Sequence, residues 1–172
     1  MEDVDLWDRL PRKLNMAKGL SIVWFKRDLR TDDHLPLVMA AQKGPTVPLY
    51  VVEPEYWQLP DTSDRQWSFV RECLYELDVS LRDLGVPLII RTGDAVEILD
   101  NLNQRFGVET LLSHEETGNA WSFTRDKRVA KWSKQNKVTW AQYPQFGVVR
   151  RLKKRDGWAS NWDDWMALPT VK

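Results

Sequence analysis

Apolar residues along this chain follow two alternating rhythms. Leu20–Phe25 (LSIVWF), Val47–Val52 (VPLYVV), Pro87–Ile90 (PLII) and Thr110–Leu112 (TLL) are short unbroken apolar runs. Runs of this length, rich in β-branched and aromatic residues, predict strands buried on both faces. Val138–Gln142 (VTWAQ) alternates and predicts a fifth strand. Between the runs the period changes to that of a helix. Leu35–Lys43 is a short helical pattern stopped by Gly44 and Pro45. Across Asp64–Leu84, the residues Trp67, Val70, Leu74, Leu77, Leu81 and Leu84 recur at steps of three and four, and Gly85 ends the pattern. Asp94 is placed to cap a helix that turns Val96, Leu99, Leu102 and Phe106 inward and closes at Gly107. Asn119–Asn136 carries Trp121, Val129 and Trp132 among many charges, which predicts a solvated helix with a narrow apolar stripe. Strand and helix alternate four times and a strand follows. That order predicts an α/β fold: a doubly wound, Rossmann-like, five-stranded parallel sheet of order 3-2-1-4-5 with helices on both faces.

The domain so defined covers residues 19–147. Residues 1–18 read as a charged N-terminal extension. Residues 148–172 change character: VVRRLKKR is basic, and a short helix over Ala159–Met166 puts Trp158, Trp162, Trp165 and Met166 along one face. Composition narrows the classes further. The 172 residues include 25 basic and 25 acidic side chains, for zero net charge, and 42% are hydrophobic, which suits one soluble domain. Neutral charge argues against nucleic-acid binding over the whole surface. No apolar run approaches the roughly 20 residues of a membrane span, and the charged N-terminus lacks a signal-peptide core, so the expectation is a cytoplasmic protein with no membrane contact. Cys73 is the single cysteine, which excludes a disulfide framework or multi-cysteine zinc site. It sits mid-helix and reads as a buried structural residue. Ten tryptophans are the one abnormal count. Core faces account for Trp24, Trp67 and Trp140.

In an open α/β sheet, ligands bind beyond the carboxyl ends of the strands near the reversal of strand order. The segments that converge there are KRDLRTDDHL after the first strand, Glu53 after the second, and HEE after the fourth. Candidate binding residues are therefore Arg27, Asp28, Arg30, Asp33, His34, Leu35, Glu53, Glu115 and Glu116. Asp28 and Glu116 are placed to hydrogen-bond a ligand's ring N–H or hydroxyl groups, and Arg30 to brace the loop. The first loop has no glycine, so a dinucleotide fingerprint and a P-loop are both absent. His34 and His114, with Glu115 and Glu116, offer metal-type donors, but no HxH or HExxH spacing supports a metal site. There is no GxSxG elbow for a hydrolase nucleophile.

IVWFKRDLRTDDHLPL resembles the opening of the DNA photolyase and cryptochrome family, an apolar strand ending W-F-R-x-D-L-R followed by x-x-D-N. Asp33 matches that aspartate, while His34 stands where the family usually has asparagine. VPLYVVEPEYW, LRDLGVPLIIRTGDAVEIL, HEETGNAWSFTRDKRV and GVVRRLKKRDGWASNWDDWM resemble four further family segments in order, down to Arg125 and Asp126. The resemblance implies the N-terminal antenna-binding domain of a longer protein. FAD, the catalytic residues and the lesion pocket would lie in a C-terminal helical domain outside this chain, and damaged DNA would be the full protein's partner. This chain alone would not be catalytic. The antenna chromophore implied is a flavin, deazaflavin or lumazine rather than a folate, because the family's folate-binding Asn–Glu pair falls at Trp121 and Ser122. The Trp-rich tail would face the helical domain or, without it, pair two copies into a dimer. Two other classes stay open at this point. One is a stand-alone nucleotide-binding α/β protein, which would want a glycine-rich phosphate loop where this chain has only isolated Gly107, Gly118 and Gly147. The other is an interaction module docking through its Trp face.

Overall fold

The computed structural model describes residues 19–150, 152 and 154–172, so the expected extension over 1–18, and Arg151 and Lys153 of the basic stretch, lie outside the described residues. Strand β1 (Leu20–Phe25) leads to α1 (Leu35–Lys43), β2 (Thr46–Val52), α2 (Pro54–Trp57), α3 (Asp64–Asp83), β3 (Ile89–Thr92), α4 (Ala95–Phe106), β4 (Val108–His114), α5 (Ala120–Gln135), β5 (Thr139–Tyr143) and α6 (Trp158–Met166). The five strands form one parallel sheet of order β3-β2-β1-β4-β5, as the alternation predicts.

β1 is buried along its whole length because both of its faces are covered. Ile22 and Trp24 join Leu49, Leu99, Leu102, Val129 and Trp132 beneath α4 and α5. Val23 and Phe25 point the other way and pack with Ala40, Leu74, Leu77 and Leu81 beneath α1 and α3. The twofold alternation of side chains along a strand thus divides one apolar run between two cores. The helices start on side-chain caps. Ser63 accepts from Gln66 N–H, Asp94 from Val96 and Glu97 N–H, and Asn119 from Ser122 N–H. α4 ends at Gly107 with φ 68°, in the left-handed region that glycine adopts without a Cβ penalty.

Several expectations need correction. β3 begins at Ile89, two residues later than Pro87: Leu88 N–H donates to Asp78 Oδ1 at 3.0 Å and not to a ladder partner. Leu84 is 64% exposed: α3 stops at Asp83, and the chain turns at Leu84 before it completes the inward stripe. Cys73 is half-buried and lines a cleft. α2 has no counterpart in the expected elements. The buried face of α5 is Ser122, Arg125, Asp126, Val129, Trp132 and Ser133, while Trp121 stands half-buried at its edge. α6, whose place the sequence leaves open, lies against the domain: Gly147 lies under the Trp162 ring, Val171 N–H donates to Asp33 Oδ1 at 2.9 Å, and Arg150 pairs with Glu115 at 3.6 Å.

A candidate ligand cleft at the strand ends

Beyond the carboxyl ends of β1 and β2 lies a cleft of about 760 Å³. The loop after β1 supplies Lys26, Arg27, Asp28 and Arg30; β2 and the turn after it supply Tyr50 and Glu53; α3 supplies Arg65, Phe69 and Cys73. Proline at the first position of α2, after Glu53 at its N-cap, starts a single helical turn. That turn carries Tyr56 and Trp57 over the cleft. Their rings continue an aromatic wall: Tyr56 meets Trp57 at 5.3 Å and Trp121 at 5.5 Å, and Trp57 meets Trp67 at 5.0 Å.

The cleft floor is a buried charge cluster centred on Arg125, which is 7% exposed. Its guanidinium donates to Glu53 at 2.7 Å, to Asp126 at 2.9 Å and to Glu116. Lys26 donates to Asp126 at 2.9 Å, and its ammonium lies 4.5 Å from the centre of the Trp24 ring. Arg27 spans the top, donating to Glu116 at 3.1 Å and to the Tyr56 hydroxyl at 2.9 Å. Burial alone would lower the Arg125 pKa, but Glu116, Glu53 and Asp126 together outweigh it and hold it above the ordinary value. Burial pushes Glu53 up to about 7 against the pull of Arg125, with Glu116 adding to the rise. Lys26 is lowered, chiefly by burial with Arg125 adding, against the opposing pull of Asp126 and Glu116. An aromatic wall over a polar, mutually paired floor suits a flat heterocycle with hydrogen-bonding edges.

Below the cleft, a second cluster explains the histidines. His34 Nε2 lies 2.7 Å and His114 Nδ1 2.6 Å from the same oxygen, Asp28 Oδ2, and all three residues are buried. The other Asp28 oxygen accepts from Lys26 N–H at 2.9 Å. His34 Nδ1 accepts from Leu37 N–H at 3.1 Å, capping α1, so the ring proton belongs on Nε2 and points at Asp28. A metal at Nε2 would move that proton to Nδ1, against the Leu37 N–H. The three side chains converge within ligating distance of one another, but the donor set is suited to sharing protons. Burial raises the Asp28 pKa, yet the imidazole hydrogen bonds more than reverse this and hold it well below the carboxylate range; His34 is lowered by burial against the pull of Asp28.

Of the nine candidate residues, Arg27, Asp28, Arg30, Glu53 and Glu116 line the cleft. Asp28 meets it from below, with one carboxylate oxygen taken by the two imidazoles and the other accepting from Lys26 N–H. Arg30 braces the loop after β1 by donating to the carbonyls of Asp32 and Asp33. His34 lies beneath, while Asp33 and Leu35 lie outside the lining. Glu115 faces a smaller neighbouring cavity with His114 and Phe146, and the two glutamates do not join the histidines. Sequence reasoning missed Lys26, Tyr56, Trp57, Arg65, Phe69 and Arg125. Arg125 was within reach: Ser122, Arg125, Val129 and Trp132 share one helical face.

The fold is that of a doubly wound α/β domain with a cleft at its strand ends. The family model for DNA photolyase matches residues 21–150. The chain belongs to the DNA photolyase family. It is 36% identical over 108 residues to a chloroplastic/mitochondrial cryptochrome DASH of Arabidopsis thaliana, a match covering 59% of this chain and 19% of that protein. It is 35% identical over 92 residues to a deoxyribodipyrimidine photo-lyase of Agrobacterium fabrum, covering 53% and 19%. The structure of a bacterial class III photolyase from Agrobacterium tumefaciens superposes with a TM-score of 0.71 at 26% identity, over 81% of this chain and 29% of that one. An archaeal photolyase from Sulfolobus tokodaii, solved with two FAD molecules and implying a novel light-harvesting cofactor, shares the fold with a TM-score of 0.68 at 22% identity, over 89% and 36%. The chain thus spans about a fifth of the length of those curated relatives. It corresponds to the photolyase N-terminal α/β domain. No helix among the described residues is long and apolar enough to cross a membrane.

Proposed function

We propose that this chain is the light-harvesting domain of a photolyase or photolyase-like cryptochrome, and that its cleft holds the antenna chromophore, a flavin, deazaflavin or lumazine. The observation that carries the reading is the 760 Å³ cleft at the strand ends, with Tyr56, Trp57 and Phe69 on its walls and Glu53 and Glu116 on its floor. Aromatic rings stack a flat chromophore, and carboxylates accept its N–H groups. Trp121 and Ser122 stand where the family's folate-binding pair falls, which favours the other chromophores over a folate. The full protein would bind FAD in a C-terminal helical domain, use light to split pyrimidine dimers in damaged DNA or to signal, and act in the cytoplasm. This chain alone is expected to leave a thymine-dimer oligonucleotide unrepaired under light. The exposed faces of Trp158 and Met166 support a second role for the tail, as a docking face for the helical domain or for another copy.

The experiment is a titration of the chain with riboflavin, a deazaflavin, a ribityl lumazine and a folate, followed by ligand fluorescence. The expected result is saturable quenching by at least one of the first three, weakened about tenfold or more by Trp57→Ala and by Glu116→Ala. No binding by any of them, or binding indifferent to both substitutions, removes the cleft from this role.

A further inference from the structure

Zero net charge hides an uneven distribution. The chain has 25 basic and 25 acidic side chains, yet the exposed charges of α5 and the turn after it are all of one sign: Lys127, Arg128, Lys131, Lys134 and Lys137. The one acid of that helix, Asp126, is buried and paired with Lys26 and Arg125. The balancing acids lie elsewhere. α3, beneath the other face of the sheet, exposes Asp64, Glu72, Glu76 and Asp83, and α6 holds Asp163 and Asp164 with no basic residue. Two acids of the α4 region reach α5, and both are engaged: Asp94 accepts from Arg128 at 2.7 Å and Asp100 from Trp132 Nε1 at 2.9 Å. Lys127, Lys131, Lys134 and Lys137 have no carboxylate partner among the described residues. The first three stand at steps of four and three, so they form one ridge along about 10 Å of helix. Phe123 opens the ridge one turn earlier. Its ring is 47% exposed, and the Lys127 ammonium lies 4.3 Å from the ring centre.

We propose that the outer face of α5 binds the sugar–phosphate backbone of nucleic acid, without regard to sequence or damage. None of these residues lines the strand-end cleft, so the inference goes beyond the chromophore reading and does not depend on it. A phosphate chain neutralised by lysines sheds its condensed counterions, and this supplies most of the affinity in sequence-independent binding. Lysine suits such a contact because it is a point charge on a flexible stem and follows a backbone without fixing one geometry. An exposed ring beside a cation is a platform on which an unstacked base can lie. A bilayer surface fits this face less well. α5 turns Val129 and Trp132 into the core, which leaves no apolar stripe to enter a lipid interface.

The test titrates the full chain with a short, undamaged, fluorescent oligonucleotide of mixed sequence, as single strand and as duplex, across a salt series followed by anisotropy. Saturable binding is expected, with log affinity falling against log salt at a slope of about −3 or steeper. Replacing Lys127, Lys131 and Lys134 together by glutamine should weaken binding about tenfold or more at low salt and flatten the slope by about 2 to 3. Glutamine keeps the helix propensity, and a thermal melt checks the fold of the variant. Phe123→Ala should weaken the single strand about fivefold or more and leave the slope unchanged. Lys43→Gln combined with Arg71→Gln removes two exposed cations from the opposite side of the sheet and should change neither quantity. The absence of binding at low salt overturns the proposal. So does an affinity and slope that the triple variant retains in full, which would place the contact on basic residues elsewhere. Displacement of the oligonucleotide by phosphatidylserine vesicles at equal phosphate concentration also overturns it, by making the face a membrane contact.

Discussion

Asp28 is the residue on which the strand ends turn. One of its oxygens serves two imidazoles, and the other holds the backbone of Lys26. Asp28→Asn turns part of that acceptor into a donor facing buried N–H groups, so denaturant unfolding should show a loss of roughly 2–4 kcal/mol. The same cluster sets an acid limit. His34 is lowered from its ordinary 6.5, so the unfolded chain binds the extra proton first, and stability falls as pH drops through 6.5. Asp28, lowered from 3.8, adds a second loss below that value. His34→Asn keeps a capping oxygen and does not titrate, so it should flatten the slope between pH 7.5 and 5; an unchanged slope would remove His34 from this account. Glu53 has the opposite sign. Its value is raised from 4.5 to about 7, so its contribution is full below 4.5 and is lost as pH rises through 7. Glu53→Gln should therefore gain stability relative to the wild type between pH 5 and pH 8, by an amount of the order of 2 kcal/mol.

At the scale of elements, the long pieces follow their sequence patterns and the short ones follow their neighbours. α1 runs over Leu35–Lys43 and β1 over Leu20–Phe25, as their apolar spacing dictates. α2 is only Pro54–Trp57, too short for any periodicity to declare it, and it brings two rings of the aromatic wall. α5 presents charge on its buried face, which a count of apolar positions passes over. α6 depends on one close approach. A Cβ on Gly147 would lie 2.7 Å from Trp162 Cε3, closer than carbon atoms pack. Gly147→Val should push the Trp162 ring away and lower hydrogen-exchange protection over 158–166, with the strands retaining theirs. Equal protection in the variant would mean that α6 is held by its other contacts, Val171 to Asp33 and Arg150 to Glu115.

For the whole molecule, the open question of assembly sits at the tail, whose outer face is apolar. It lies back across the strand ends, yet Trp158 remains 43% and Met166 61% exposed. An apolar outer face of that kind favours a partner surface, and two copies offer each other the same one. Sedimentation of the intact chain is expected to show concentration-dependent dimers that a version ending at Leu152 does not form. A strict monomer whose sheet unfolds on that truncation would make α6 an integral part of the domain instead.

The order of apolar runs and helical stripes by itself determined the doubly wound sheet, because burial of alternate strand faces under helices has few solutions once the elements alternate. It also brought the loops after β1, β2 and β4 to one end, which is why five of the nine candidate residues line the cleft. Only the tertiary structure decided which side of the switch point opens. Arg125 and its carboxylates fill the crevice beneath α5, and the free space moves towards β2 and α3. Only the fold could couple His34 to His114, 80 positions apart, through Asp28. The physical reason is common to both: periodicity records which face of an element is apolar, whereas a buried charge is stable only beside partners that distant segments supply.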